Sequence, residues 1–95
     1  MSPDETSQDR GWQGAEGHRF ALEVLQLSLR RRMLRLIASG MNDAKQIQEE
    51  LKLSSSLAEY HLSMLEKALV IERHEAGWRV TSTGLLFLEK VEGGP

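Results

Sequence analysis

The side chains best suited to chemistry in this chain are hydroxyls and cations. Ser54, Ser55, Ser56, Tyr60 and Ser63 recur along one short stretch. Hydroxyls presented together can exchange hydrogen bonds with base edges in a DNA groove. Lys45, Lys52, Arg73 and Arg79 flank that stretch and suit phosphate oxygens. Arg30, Arg31, Arg32 and Arg35 make the densest positive cluster. They either touch phosphate or form a solvated face paired with glutamates of a neighbouring helix. His18, His61 and His74 are scattered and lack the clustered partners of a metal centre, so neither metal nor cofactor is expected. The absence of cysteine excludes disulfides, thiolate sites and thiol catalysis. No glycine-rich phosphate loop occurs, nor a serine or carboxylate pair beside a plausible base, and the expectation is a non-enzyme with no catalytic residues.

The elements that must position these groups centre on residues 47–69, IQEELKLSSSLAEYHLSMLEKAL. The pattern predicts a helix, a tight turn at Lys52-Leu53 and a second, longer helix started by the serine run, whose hydroxyls can cap free backbone N–H groups. Ala58, Leu62, Leu65 and Leu69, with Leu57, His61, Met64 and Ala68 alongside, form a buried stripe, which makes His61 a packed core histidine. Ser55, Ser56, Glu59, Tyr60 and Ser63 then face out. Ser56-Leu57-Ala58-Glu59 fits a capping box that turns Glu59 back to the helix start; alternatively Glu59 accepts from a cytosine amino group. A short helix, a turn and a helix with a small polar outer face is a helix-turn-helix.

The rest of the chain reads as support. Residues 1–17 are rich in Ser, Asp, Gln and Gly and read as a flexible tail, with Trp12 either unpacked or docked. A folded domain spans 18–92 and a frayed end 93–95. Residues 18–39 carry apolar residues on more than one side, with a break at Ser28, and Gly40 ends the second helix. Asn42 or Asp43 caps the next helix. Residues 70–74 and 78–81 alternate around Glu75-Ala76-Gly77 and predict a hairpin, with Arg73, His74 and Arg79 near its tip or flanks and Trp78 covering its root. Thr81 to Gly84 caps a last helix, where Leu85, Leu86, Phe87 and Leu88 cannot all face one core. Surplus apolar surface on the first and last helices predicts a homodimer through Phe20, Val24, Leu27, Leu85, Leu86 and Leu88.

The net charge of –2 divides unevenly: –3 within residues 1–18 and +1 over the remainder. A near-neutral domain leaves any positive patch to local clustering. There is no apolar run of the ~18 residues a membrane span needs and no signal-peptide pattern, so a cytoplasmic location is expected.

Together these elements predict a mostly α-helical winged helix-turn-helix with a small β-hairpin wing. Residues 29–91 resemble the arsenic-repressor-like (ArsR-like) transcriptional regulators, particularly their short archaeal forms. The resemblance rests on LRRRMLRLI and on IQEELKLSSSLAEYHLSMLEKALVIER, where Ser54 falls on the family's cap serine and His61-Leu62, Leu65 and Ala68 match its register. It covers about two thirds of the chain. It implies a transcriptional regulator that binds double-stranded DNA. Three departures stand out. AKQIQEEL lacks the cysteines of thiolate metal sensors; Tyr60, Ser63 and Glu66 stand where basic residues are common; Leu69 replaces the glycine before the wing. Two functions follow. The first is a homodimer with recognition helix 54–68 in the major groove, through Ser54, Ser55, Ser56, Tyr60 and Ser63, and with the wing 70–81 on the DNA backbone; Lys45, Lys52, Arg73 and Arg79 would meet phosphates. The alternative is a winged-helix protein-interaction module without direct DNA binding, which suits the near-neutral charge.

Overall fold

The computed structural model describes residues 14–92. Residues 1–13 of the expected tail, Trp12 among them, and the expected frayed end lie outside the described residues. Among those described, the order is α1 (Gly14–Val24), α2 (Ser28–Ala38), α3 (Ala44–Leu51), α4 (Ser55–Lys67), β1 (Ile71–His74), β2 (Gly77–Val80) and α5 (Ser82–Phe87), which continues into a wider π-helical turn, Leu88–Glu92. This is a winged helix-turn-helix. Its first helix begins at Gly14, four residues before the periodic pattern becomes readable. Gly14 and Gly17 carry no apolar signal, while Glu16 in the first turn complements the helix dipole.

α4 is the hub of the packing, since α1, α2, α3 and β1 all lie against it. Its inner face is Ala58, His61, Leu62, Leu65 and Ala68, the three-and-four spacing that keeps a helix stripe on one side. Around it Met33, Leu34, Ile47, Val70, Ile71, Trp78 and Phe87 close a single core. Each fully buried leucine or isoleucine contributes about 1.5–3 kcal/mol relative to exposure, so α4 is the element least free to move.

Three helices end in the same way. Gly40, Lys52 and Leu69 take positive φ of 114°, 57° and 65°. At each, two backbone N–H groups turn back to carbonyls of the last turn: Met41 to Leu36 and Gly40 to Ile37, Leu53 to Gln48 and Lys52 to Glu49, Val70 to Leu65 and Leu69 to Glu66. This pairing satisfies the carbonyls that a helix end leaves free. The corner between α1 and α2 has no such glycine, and its N-cap, Leu27, has no side chain able to cap. Arginines hold it instead. Arg31 Nη1 donates to the carbonyls of Leu25 (2.7 Å) and Gln26 (2.9 Å), and Arg30 Nη1 donates to that of Val24 (3.3 Å). Arg30 is only 5% exposed. The reading of this cluster as a phosphate-binding or glutamate-paired face is therefore corrected for the buried Arg30, which with Arg31 seals the end of α1. Arg32 and Arg35 lie on the exposed side of α2.

Val24, expected on a dimer face, is 1% exposed and belongs to the protomer's own core with Ala21 and Leu25. α1 packs against α4, and Val24 joins the shared core. Phe20 is half-buried against the same core, whereas Leu22 and Leu27 remain exposed. In α5 the four apolar residues divide: Phe87 enters the core, Leu88 packs at its margin, and Leu85 and Leu86 stay 53% and 51% exposed.

Candidate nucleic-acid interface

The outward face of α4 starts from its cap. Ser54 is the N-cap, and its Oγ accepts from the Leu57 backbone N–H at 3.2 Å. The helix thus begins two residues earlier than a box from Ser56 to Glu59 requires, and that expectation is corrected. Glu59 sits in the second turn and is exposed. Ser55, Ser56 and Tyr60 are also exposed, and Ser63 is half-buried. Leu57, expected alongside the buried stripe, is 48% exposed on this same face. Position 57 lies at the stripe's edge, and periodicity alone does not separate an edge residue from an inner one.

Tyr60 is held from behind. Its ring meets the His61 ring edge-on, with centroids 5.2 Å apart, and the Arg30 guanidinium lies 5.6 Å from the Tyr60 centroid. Arg30 Nε also donates to His61 Nδ1 at 3.1 Å. Burial and the nearby Arg30 charge together lower the His61 pKa below 6.5, which keeps the imidazole neutral and able to accept. Arg30 therefore joins the end of α1 to the middle of α4.

The wing follows from period-two patterning. β1 and β2 pair antiparallel with Ile71 opposite Val80, Glu72 opposite Arg79, Arg73 opposite Trp78 and His74 opposite Gly77. Opposed residues share a face, so the two wing arginines are separated. Arg73 lies on the Trp78 face, its guanidinium 4.4 Å from the indole centroid. Arg79 lies on the other face, with its Nε donating to Glu72 Oε2 at 2.6 Å. Trp78 is buried, but one pair from the turn rather than at the hairpin's root expected for it, because register sets it beside the closing pair His74–Gly77.

Two anchors hold the wing, one on the segment before α3 and one at the end of α4. The Trp78 N–H donates to the Asn42 carbonyl at 3.0 Å, and a Cβ on Gly77 would stand 2.5 Å from that oxygen. At the other end Thr81 donates its hydroxyl to the Leu69 carbonyl (2.6 Å) and its N–H to that of Val70 (3.0 Å). Between α4 and the wing lies a groove of about 420 Å³ lined by Ala44, Glu59, Leu62, Ser63, Glu66, Arg73 and Trp78. Arg73 is the cation in its lining, opposite two carboxylates. Lys45 and Lys52 are exposed on α3 and on the turn before α4. Ser55, Ser56, Tyr60 and Ser63 are thus on the outer side of α4, with Ser54 engaged as its cap, Arg73 in the groove lining and Arg79 turned to the other face of the wing.

Among the described residues, no group of three or more His, Asp or Glu is placed to hold a metal ion. No described helix is long and apolar enough to cross a membrane. No curated protein and no solved structure matches the chain significantly. Residues 28–72, from the first residue of α2 into the first wing strand, match the family model described as "Bacterial regulatory protein, arsR family".

Proposed function

We propose that the chain, whose residues 28–72 match the arsR-family regulator model, is a transcription regulator that works in the cytoplasm as a homodimer on duplex DNA. The observation that carries this is the presentation of α4. Its inner stripe is buried against three helices and a strand, while Ser55, Ser56, Tyr60 and Ser63 look outward from the capped end of the helix. The first turns of a recognition helix are the part that reaches base edges. Ser54 supports the approach through its cap. Lys45 and Lys52 flank the helix as phosphate contacts, and Arg73 and Arg79 on the wing take the backbone. Two-fold symmetry through α1 and α5 would set paired recognition helices ~34–36 Å apart on a palindromic site. The proposed activity is binding alone.

The test is fluorescence anisotropy of a labelled random-sequence duplex, titrated with the protein at low and at physiological salt. Binding at low salt that weakens steeply as salt rises is the expected result, because each neutralised phosphate releases counterions. Arg73→Ala should weaken binding to all sequences alike and flatten the salt slope by about one unit. A second reading, a protein-interaction module, is favoured by one observation: Glu59 and Glu66 line the groove beside a helix whose charges sum to –1 between Ser54 and Lys67. Absence of duplex binding even at low salt would select it.

A further inference from the structure

We infer that Leu57 is a specificity-determining residue that reads thymine C5-methyl groups in the major groove. The inference rests on the DNA-binding reading above and deepens it. Direct readout of bases draws on a small set of side chains: Arg or Lys bidentate to guanine, Asn or Gln bidentate to adenine, Glu or Asp for cytosine, the less selective Ser and Thr, and apolar groups for the thymine methyl. The α4 sequence SSLAEYHLSMLEK contains no Arg, Asn or Gln, and its lysine, Lys67, stands in the last turn. The bidentate readers are therefore missing from the end of the helix that approaches the bases.

Beside the hydroxyls of Ser55 and Ser56, that end offers an apolar surface. Leu57 is the third residue of the helix, one turn before Tyr60, and the two are 48% and 52% exposed. Residues three apart lie on one face of a helix, so the leucine methyls and the tyrosine ring form one continuous outward surface. Both members have fixed positions. The Leu57 backbone N–H is tied to Ser54 Oγ, and the Tyr60 ring is braced by His61 and Arg30. Exposing a leucine on the outer face of a small domain forgoes burial that a core position would supply. The matching feature on DNA is the row of methyl groups that A·T pairs present in the major groove.

The test uses the full-length chain and a duplex enriched from a random pool by the wild-type protein. The same duplex is prepared with deoxyuridine in place of thymidine, which removes only the C5-methyl groups. Wild type is expected to bind the thymine duplex more tightly by about fourfold per contacted methyl. Leu57→Ala is expected to bind both duplexes equally. Leu57→Gln, which keeps a good helix former but replaces the methyls with an amide, should lose the preference in the same way. Equal binding of the two duplexes by wild type, or a preference that survives in both variants, overturns the methyl readout while leaving DNA binding intact. Failure to bind any duplex at low salt overturns the DNA reading and the methyl readout with it.

Discussion

Leu69 holds a left-handed backbone conformation, φ 65°, while exposing much of its side chain. A branched residue is strained there and glycine is not. The strain persists because the closing bonds from Leu69 and Val70 back to α4 set the direction in which the chain enters the wing. Leu69→Gly should raise stability by about 0.5–1 kcal/mol, read as a higher urea midpoint with an unchanged slope. A lower midpoint would mean that the leucine's packing outweighs its strain. His61 gives a second residue-scale expectation. Burial first, and Arg30 second, lower its pKa in the folded state below the 6.5 of the unfolded chain. The unfolded chain therefore binds the proton more readily. His61's contribution is complete above pH 6.5 and is lost as pH falls through the lower folded value. A series of thermal melts from above pH 6.5 downward should show a loss of Tm that His61→Gln reduces, since the glutamine carbonyl can still accept from Arg30 without titrating. An identical pH profile in the variant would remove His61 from the account.

At the scale of elements, the wing's position is set by backbone contacts at its root. Thr81 makes three of them: it donates to Leu69 and Val70, and its Oγ accepts from the Gly84 N–H at 3.1 Å to cap α5. The first turn of α5 lies so close to β1 that a Cβ on Gly84 would fall inside contact distance of the Val70 carbonyl oxygen and of Val80 Cγ1. Alanine ordinarily stabilises a helix relative to glycine. Here Gly84→Ala should instead destabilise by about 1–3 kcal/mol, the range for forcing atoms into a packed site. Thermal or urea denaturation of this variant separates the two effects by sign. The same element scale explains why the two wing arginines are not equivalent. Hairpin register places Arg73 over Trp78, facing α4, and Arg79 beside Glu72 on the other face.

At the scale of the whole molecule, each terminal helix retains leucines that the protomer does not cover. α1 packs on α4 and leaves Leu22 out, and Leu27 in the corner after it is exposed too; α5 packs on β2 and leaves Leu85 and Leu86 out. A second copy of the chain is the proposed cover. Leu85→Glu combined with Leu86→Glu should convert a dimer into a monomer in analytical ultracentrifugation. The helical circular-dichroism spectrum should stay unchanged, because neither side chain belongs to the core. A wild-type monomer at micromolar concentration would overturn the two-fold operator geometry.

Residues 47–81 declared their structure locally. The serine cap, the three-and-four spacing of Ala58, His61, Leu62 and Leu65, and the alternation around Glu75-Ala76 are short-range signals, each set by backbone geometry and side-chain type within a few positions. They sufficed for the helix-turn-helix, the wing and the outward placement of Ser55, Ser56 and Tyr60. Other facts depended on what lies across the fold. Arg30 looked like a surface cation until α1 ended where its guanidinium could seal it. Val24 went to the core and Leu57 to the surface, 1% and 48% exposed, although both belong to apolar helical patterns. Burial is a property of the space between elements, and periodicity along one helix reports only the direction of its apolar face, not how far the neighbouring elements extend over it.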